Sequence, residues 1–295
     1  MSPFSLTRRS RKRTIPYTVE GLALELSPDH NLPKLQQDYP SYDRFLPFLA
    51  RSLPAQGRCL VDIGANVGDT ALALAAHTRN RIVSVEADPV FFSLLQANIA
   101  RLPPSIRERI VPVQALVGSG GLKGSLVREG ATGRLREDIP AAADGGFASL
   151  DAVLDAHCAG FDPVLIKVDT DGCDHDVLRS GERCLKAAKP VLFFENDIQS
   201  AESHRGFVEL YGFLQDLGYR HFVLFDNFGF PMLETGDVGL VLALNQYTVR
   251  LRELRQHRTI YYFDTLAFAE DSAADVRASV EAFLADRMRA ADTPR

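Results

Sequence analysis

Short apolar runs closed by a polar residue recur along this chain, and between them apolar residues return at the three-and-four spacing of helices buried on one face. The runs at 59–63, 82–85, 110–117, 164–169, 190–195, 221–225 and 260–268 read as strands. Helical spacing fills 70–77, 89–102, 150–157, a stretch through Val177, Leu178, Cys184 and Leu185, and the set Phe207, Leu210, Tyr211, Leu214 that Gly218 stops. Asp88-Pro89 supplies an N-cap and a first-turn proline, and Ser149 opens the helix before His157. Ser272 with Asp275 reads as a capping box for a last helix, basic near its end. Ahead of this series, 15–26 alternates as a strand pair around Glu20-Gly21, and 42–53 reads as a helix. Alternating strands and helices predict a doubly wound α/β fold: a mostly parallel sheet of seven strands with a small N-terminal cap. The expected divisions are a disordered basic arm over 1–14, the cap over 15–54, the main domain over 55–270 and a C-terminal helix over 271–295.

Two stretches break the alternation. Residues 118–133 hold six glycines and few large apolar residues, which predicts a mobile excursion or small hairpin near the mouth of a site; 141–146 reads as a second loop. No internal repeat is present.

Composition narrows the function classes. A net charge of -5 argues against a general nucleic-acid binder, which needs a basic face. The exception is local: Arg8, Arg9, Arg11, Lys12 and Arg13 form a basic arm suited to weak peripheral contact with an anionic lipid or polyanion. The following Thr14-Ile15-Pro16-Tyr17 lacks the apolar region of an export signal, and no run is long enough to span a membrane. Four cysteines without metal-site spacing predict a reduced, cytoplasmic protein. Oligomeric state is not legible.

The chemistry concentrates at the first strand's exit, Asp62-Ile63-Gly64-Ala65-Asn66-Val67-Gly68-Asp69-Thr70, and at Glu86, where the next strand ends. A dinucleotide turn needs Gly-x-Gly-x-x-Gly, whereas Asn66 and Asp69 stand at the second and last glycine positions. A carboxylate at that helix N-terminus would oppose a pyrophosphate, so an NAD-type cofactor is disfavoured. Asp62-x-Gly64-x-Asn66-x-Gly68 instead resembles the first motif of the class I S-adenosylmethionine-dependent methyltransferases. That cofactor has no phosphate and carries a sulfonium and an ammonium, and Glu86 can accept both ribose hydroxyls. Asp69, Thr70, Ala87 and the strand-tip Gln114 complete the candidate cofactor set with Asp62, Gly64, Asn66, Gly68 and Glu86.

Further acids follow at later strand ends: Asp169, Asp171 and Asp174 with His175, then Glu195-Asn196-Asp197. Asp169, Asp171 and His175 are the candidate acid-base residues, with Asp174 as a rival. Asp169, Glu195 and Asn196 offer hard oxygen ligands for Mg2+; the same acids also serve as helix caps or cofactor contacts without a metal. Lys167, inside a buried strand, reads as a structural ion-pair partner.

Taken in order, Val61 to Gly68, Val85-Glu86-Ala87-Asp88-Pro89, Ser149-Leu150-Asp151, Ile166 to Gly172 and Phe194-Glu195 resemble the FkbM family of methyltransferases over roughly residues 55–230. The resemblance implies a Rossmann-like sheet and methyl transfer from S-adenosylmethionine to a hydroxyl on a sugar, glycan or other natural-product scaffold. It also implies cofactor contacts at Asp62, Gly64, Asn66, Gly68 and Glu86. Asp169, Glu195 and Asn196 resemble the metal-bearing positions of catechol-type O-methyltransferases. Asp171 and Asp174 depart from the family, which usually shows glutamates there. A non-catalytic cofactor- or glycan-binding module is the alternative, because fold and pocket do not by themselves make chemistry.

Overall fold

A computed structural model describes residues 14–120, 125–129, 132–136, 147–255 and 259–292. The basic residues at 8–13 and the loop at 141–146 lie outside the described residues.

The chain opens with a hairpin, β1 (Ile15–Val19) and β2 (Leu22–Leu26), then α1 (Leu32–Asp38) and α2 (Leu46–Ser52). The main series follows as β3 (Arg58–Ile63), α3 (Asp69–His77), β4 (Arg81–Glu86), α4 (Pro89–Ala100), α5 (Pro104–Arg107) and β5 (Ile110–Gln114). A separate hairpin, β6 (Ser125–Glu129) with β7 (Thr132–Arg136), occupies the glycine-rich excursion. Next come α6 (Leu150–His157), β8 (Asp162–Val168), α7 (Asp174–Arg179), α8 (Glu182–Ala188), β9 (Val191–Asn196), α9 (Ala201–Asp216) and β10 (His221–Asp226). The chain finishes with β11 (Pro231–Thr235), α10 (Val238–Glu253), β12 (Phe263–Phe268) and α11 (Ala273–Asp292).

The central sheet runs β11-β10-β12-β9-β8-β3-β4-β5. Strands β5, β4, β3, β8 and β9 pair in parallel, whereas β12 lies antiparallel to both β9 and β10. The architecture is the expected Rossmann-like α/β sheet, with eight strands rather than seven. The extra strand is β11, which folds back on β10 through the Asn227–Phe230 turn. Pro231 opens it, and an edge strand tolerates a proline because its outer N–H groups need no partner.

One apolar cluster joins the cap, α3, α4 and α11, and the other gathers α6 to α9. Phe45 anchors the cap: its ring centroid lies 4.6 Å from that of Phe225 and 5.7 Å from that of Phe283. Three local expectations are corrected. The 42–53 helix starts only at Leu46; the Val177–Leu185 stretch is two helices parted at Ser180-Gly181; and Ser272 Oγ donates to the Ala269 carbonyl rather than forming a capping box. No described helix is long and apolar enough to cross a membrane.

Candidate functional site

Strand order reverses between β3 and β8, so the connections from their ends diverge and leave a crevice at the strand tips. A cleft of about 570 Å³ opens there, within the usual range for a small-ligand site.

Its base is the turn after β3. The Gly64 and Ala65 N–H groups both donate to the Val85 carbonyl at 2.9 Å, which ties the turn to β4. Gly64 has φ +79, and a Cβ there would sit 1.9 Å from the Asp169 carbonyl oxygen. Glu86 closes β4 with its carboxylate fixed by two backbone donors, Asn66 N at 2.8 Å and Asp88 N at 2.7 Å. Each oxygen thus keeps acceptor capacity for a ligand. Burial raises the Glu86 pKa, and the two N–H groups work against that rise. Asp88 caps α4 through the Val90 and Phe91 N–H groups.

Behind the turn stands a buried ion cluster. Lys167 Nζ lies 3.2 Å from each of Asp62 Oδ1, Asp169 Oδ2 and the Gly64 carbonyl. Burial pulls the lysine pKa down, but Asp169, Asp62 and Asp69 together overturn it and hold it well above the ordinary lysine value. Asp62 is fully buried, and burial raises its pKa against the attraction of Lys167.

The structure brings Gly64, Asn66, Asp69, Thr70, Glu86, Ala87, Asp169, Asp171 and Glu195 to the cleft wall. Asp62 supports the wall from behind through Lys167, and Gly68 caps α3 without lining the cleft. Gln114 pairs in register with Glu86 but is exposed and outside the wall; Ala115, Leu116 and Val117 line it instead. His175 is not brought in. Its buried ring packs 5.3 Å from that of Phe207 and so close to Gly206 that a Cβ there would sit 2.0 Å from it, and burial lowers its pKa. Asp174 is buried and ties two strand ends together, accepting from Thr170 Oγ1 at 2.9 Å and from Glu195 N at 3.2 Å.

The Mg2+ expectation is not supported. Asn196 is buried, and its amide donates to Asn245 on α10 rather than facing the cleft. Among the described residues no three His, Cys, Asp or Glu side chains converge to hold an ion. The cation beside Asp169 is the chain's own Lys167.

Wall residues missed in the sequence include Tyr42, Asp43, Tyr262 and Asp264. Asp264 lies near the start of β12. Because β12 runs antiparallel to its neighbours, its beginning, rather than its end, meets the cleft. Burial, then the charge of Asp169, drives the carboxyls of Glu195 and Asp264 well above the ordinary range. Burial likewise raises the Tyr262 phenol, and the neighbouring charge of Asp43 is the first cause of the rise at Tyr42.

The profile of a family described as the methyltransferase FkbM domain matches residues 62–221. No curated protein matches the chain in a sequence search. Among solved structures, methyltransferase FkbM from Methylobacillus flagellatus is similar at 17% identity, with 65% of this chain and 54% of that chain covered and a TM-score of 0.40. An O-methyltransferase from Bacillus cereus in complex with SAH matches at 15% identity over 81% of this chain and 90% of that one, TM-score 0.43. A precorrin-6y C5,15-methyltransferase from Geobacter metallireducens matches at 13% identity over 76% and 86%, TM-score 0.39.

Proposed function

The chain belongs to the FkbM methyltransferase family, with the match spanning over half its length, and from that premise we propose that it moves a methyl group from S-adenosylmethionine to a hydroxyl oxygen of a sugar, glycan or other natural-product scaffold.

The observation that carries the reading is Glu86, oriented by two backbone N–H groups at the edge of the cleft. Such a carboxylate suits a pair of vicinal hydroxyls, and each charge-assisted bond contributes about 1.5–3 kcal/mol. Asp69, in the first turn of α3 and on the cleft wall, disfavours a phosphate there and tolerates a cationic ligand. The residues therefore fit the cofactor: Glu86 would take the ribose hydroxyls, and Gly64, Asn66, Asp69, Thr70 and Ala87 would line its place. Bound there, S-adenosylmethionine supplies an electrophilic methyl group on a cationic sulfur.

The protein's own part is to position and to manage a proton. The cap and the strand ends enclose the acceptor, and fixing two reactants in line supplies about 7–11 kcal/mol in favourable cases. Tyr42 and Tyr262 give flat faces on which a sugar ring can stack, and Glu195 and Asp264, whose carboxyls burial pushes well above the ordinary range, offer polar groups to the acceptor's hydroxyls.

The test is a methyl-transfer assay over hydroxylated sugars and metabolites, with the product bond located by mass spectrometry and NMR. An O-methyl ether is expected. Transfer only to nitrogen or carbon across acceptors that also carry hydroxyls would overturn the reading.

A further inference from the structure

We propose that Asp43, carried on the cap, is the general base that takes the proton of the acceptor hydroxyl; this rests on the O-methyl transfer proposed above. Asp43 lines the cleft with Glu86 and Asp169, yet comes from the segment between α1 and α2 rather than from a strand end. Its backbone is left-handed, φ +54, a conformation that costs a non-glycine residue energy and persists where the surroundings enforce it.

The surroundings do enforce it. Gly229 packs so close beneath the loop that a Cβ there would sit 2.5 Å from the Ser41 carbonyl. Gln36 Nε2 donates to the Tyr42 carbonyl at 3.3 Å. The Arg44 guanidinium donates to Glu20 at 3.1 Å and to Gln36 at 2.8 Å, while Phe45 is buried in the aromatic cluster. Loop residues on both sides of Asp43 are therefore held, and its carboxyl is open to the cleft.

Asp169, Asp174, Glu195 and Asp264 are less suited, and Asp171, on the same wall and also left-handed, is the rival candidate. Asp169 is already engaged by Lys167 Nζ at 3.2 Å, and Asp174 and His175 lie outside the wall. Burial and then the charge of Asp169 push Glu195 and Asp264 well above the ordinary carboxylate range. The Asp43 carboxyl, by contrast, is pushed up to about 7, first by desolvation within the cleft, to which the residue is nonetheless open, then by Asp69 on α3 and Asp169 after β8, against the opposing pull of Lys167 and Arg44. Asp264 on β12 and Tyr42 beside it also feel its charge. A base matched to the working pH is the most effective one.

In the step itself, the acceptor oxygen forms the new bond to the methyl carbon as the sulfur–methyl bond breaks. The bonding pair stays on sulfur, leaving a neutral thioether, and the hydroxyl proton passes to an Asp43 Oδ and then to solvent.

Asp43→Asn and Asp43→Gly both tolerate a left-handed backbone, so neither should compromise folding. Each is expected to lower kcat about 100- to 10,000-fold, while S-adenosylhomocysteine affinity by calorimetry stays within about twofold of wild type. The wild-type kcat/KM should fall as pH drops through about 7, or lower once the cationic cofactor is bound, and this limb should vanish from the variants' residual rate. Retained kcat in either variant, an unchanged acid limb, or a loss explained by cofactor affinity would overturn the assignment. A wild type that binds the cofactor and methylates no hydroxyl would instead overturn the underlying reading, and Asp43's role with it.

Discussion

Lys167→Met is expected to destabilise the protein by about 3–5 kcal/mol, lowering Tm by roughly 10 °C. The lysine is buried between Asp62 and Asp169, and among the described residues it is the cation paired with the fully buried Asp62 carboxylate. Methionine fills the volume but leaves that carboxylate uncompensated in the sheet, and removing one member of a buried pair costs far more than the intact pair contributes. The cost should vary with pH. In the variant the folded-state pKa of Asp62 rises further above its unfolded value. The folded state then holds the proton more tightly, so stability is highest below the unfolded pKa and falls as pH rises through the folded one. Denaturant titrations at acid and neutral pH should show a larger deficit at neutral pH. The double variant Lys167→Met, Asp62→Leu removes both charges and should regain much of the loss. A single variant within about 1 kcal/mol of wild type at both pH values would refute the cluster's structural role.

Gly64→Ala is expected to abolish cofactor binding and to cost about 2–5 kcal/mol of stability. Two effects add: a left-handed backbone costs about 1–2 kcal/mol for a residue with a Cβ, and overpacking typically costs about 1–3 kcal/mol. The second is severe here because the obstructing atom is the Asp169 backbone carbonyl, 1.9 Å from the added methyl, and cannot rotate aside. Relief requires parting the β3 turn from the end of β8, where Asp169 N donates to Ile63 O at 3.0 Å. Lys167 Nζ also holds the Gly64 carbonyl, so the shift would propagate into the ion cluster. Urea unfolding and calorimetry together check this: a variant with native stability and native cofactor affinity would show that the close approach is not needed.

Much of the fold was legible because buried parallel strands leave continuous apolar runs and the helices between them keep their period. The cleft residues at the parallel strand tips were legible for the same reason: in parallel strands the polar residue of the crevice follows the apolar run, as Glu86 follows Ile82–Val85. Where the geometry inverts, that rule fails. Asp264 precedes the core of its strand because β12 is antiparallel, and β11 is a short edge strand whose Pro231 reads as a loop. Asp43 was hidden inside an expected helix; its left-handed φ depends on Gly229, Gln36 and Arg44, contacts that no local pattern records. His175 reads as a catalytic histidine from its place after a strand, yet the fold packs it against Phe207 on α9. The metal reading finds no support because Asp169, Glu195 and Asn196, read along a sequence, do not reveal that a lysine two residues before Asp169 already supplies a cation beside it.

The central claim, that the cleft at the β3 and β4 tips holds a nucleoside methyl donor through Glu86, is tested most directly by calorimetric titration of S-adenosylhomocysteine into the wild type and into Glu86→Gln. The amide keeps the side chain's volume and one acceptor for the backbone while removing the charge and the other acceptor. The account predicts one molecule bound per wild-type chain and an affinity at least about tenfold weaker in the folded variant. Equal affinity in the two proteins, or no binding to the wild type, would contradict it.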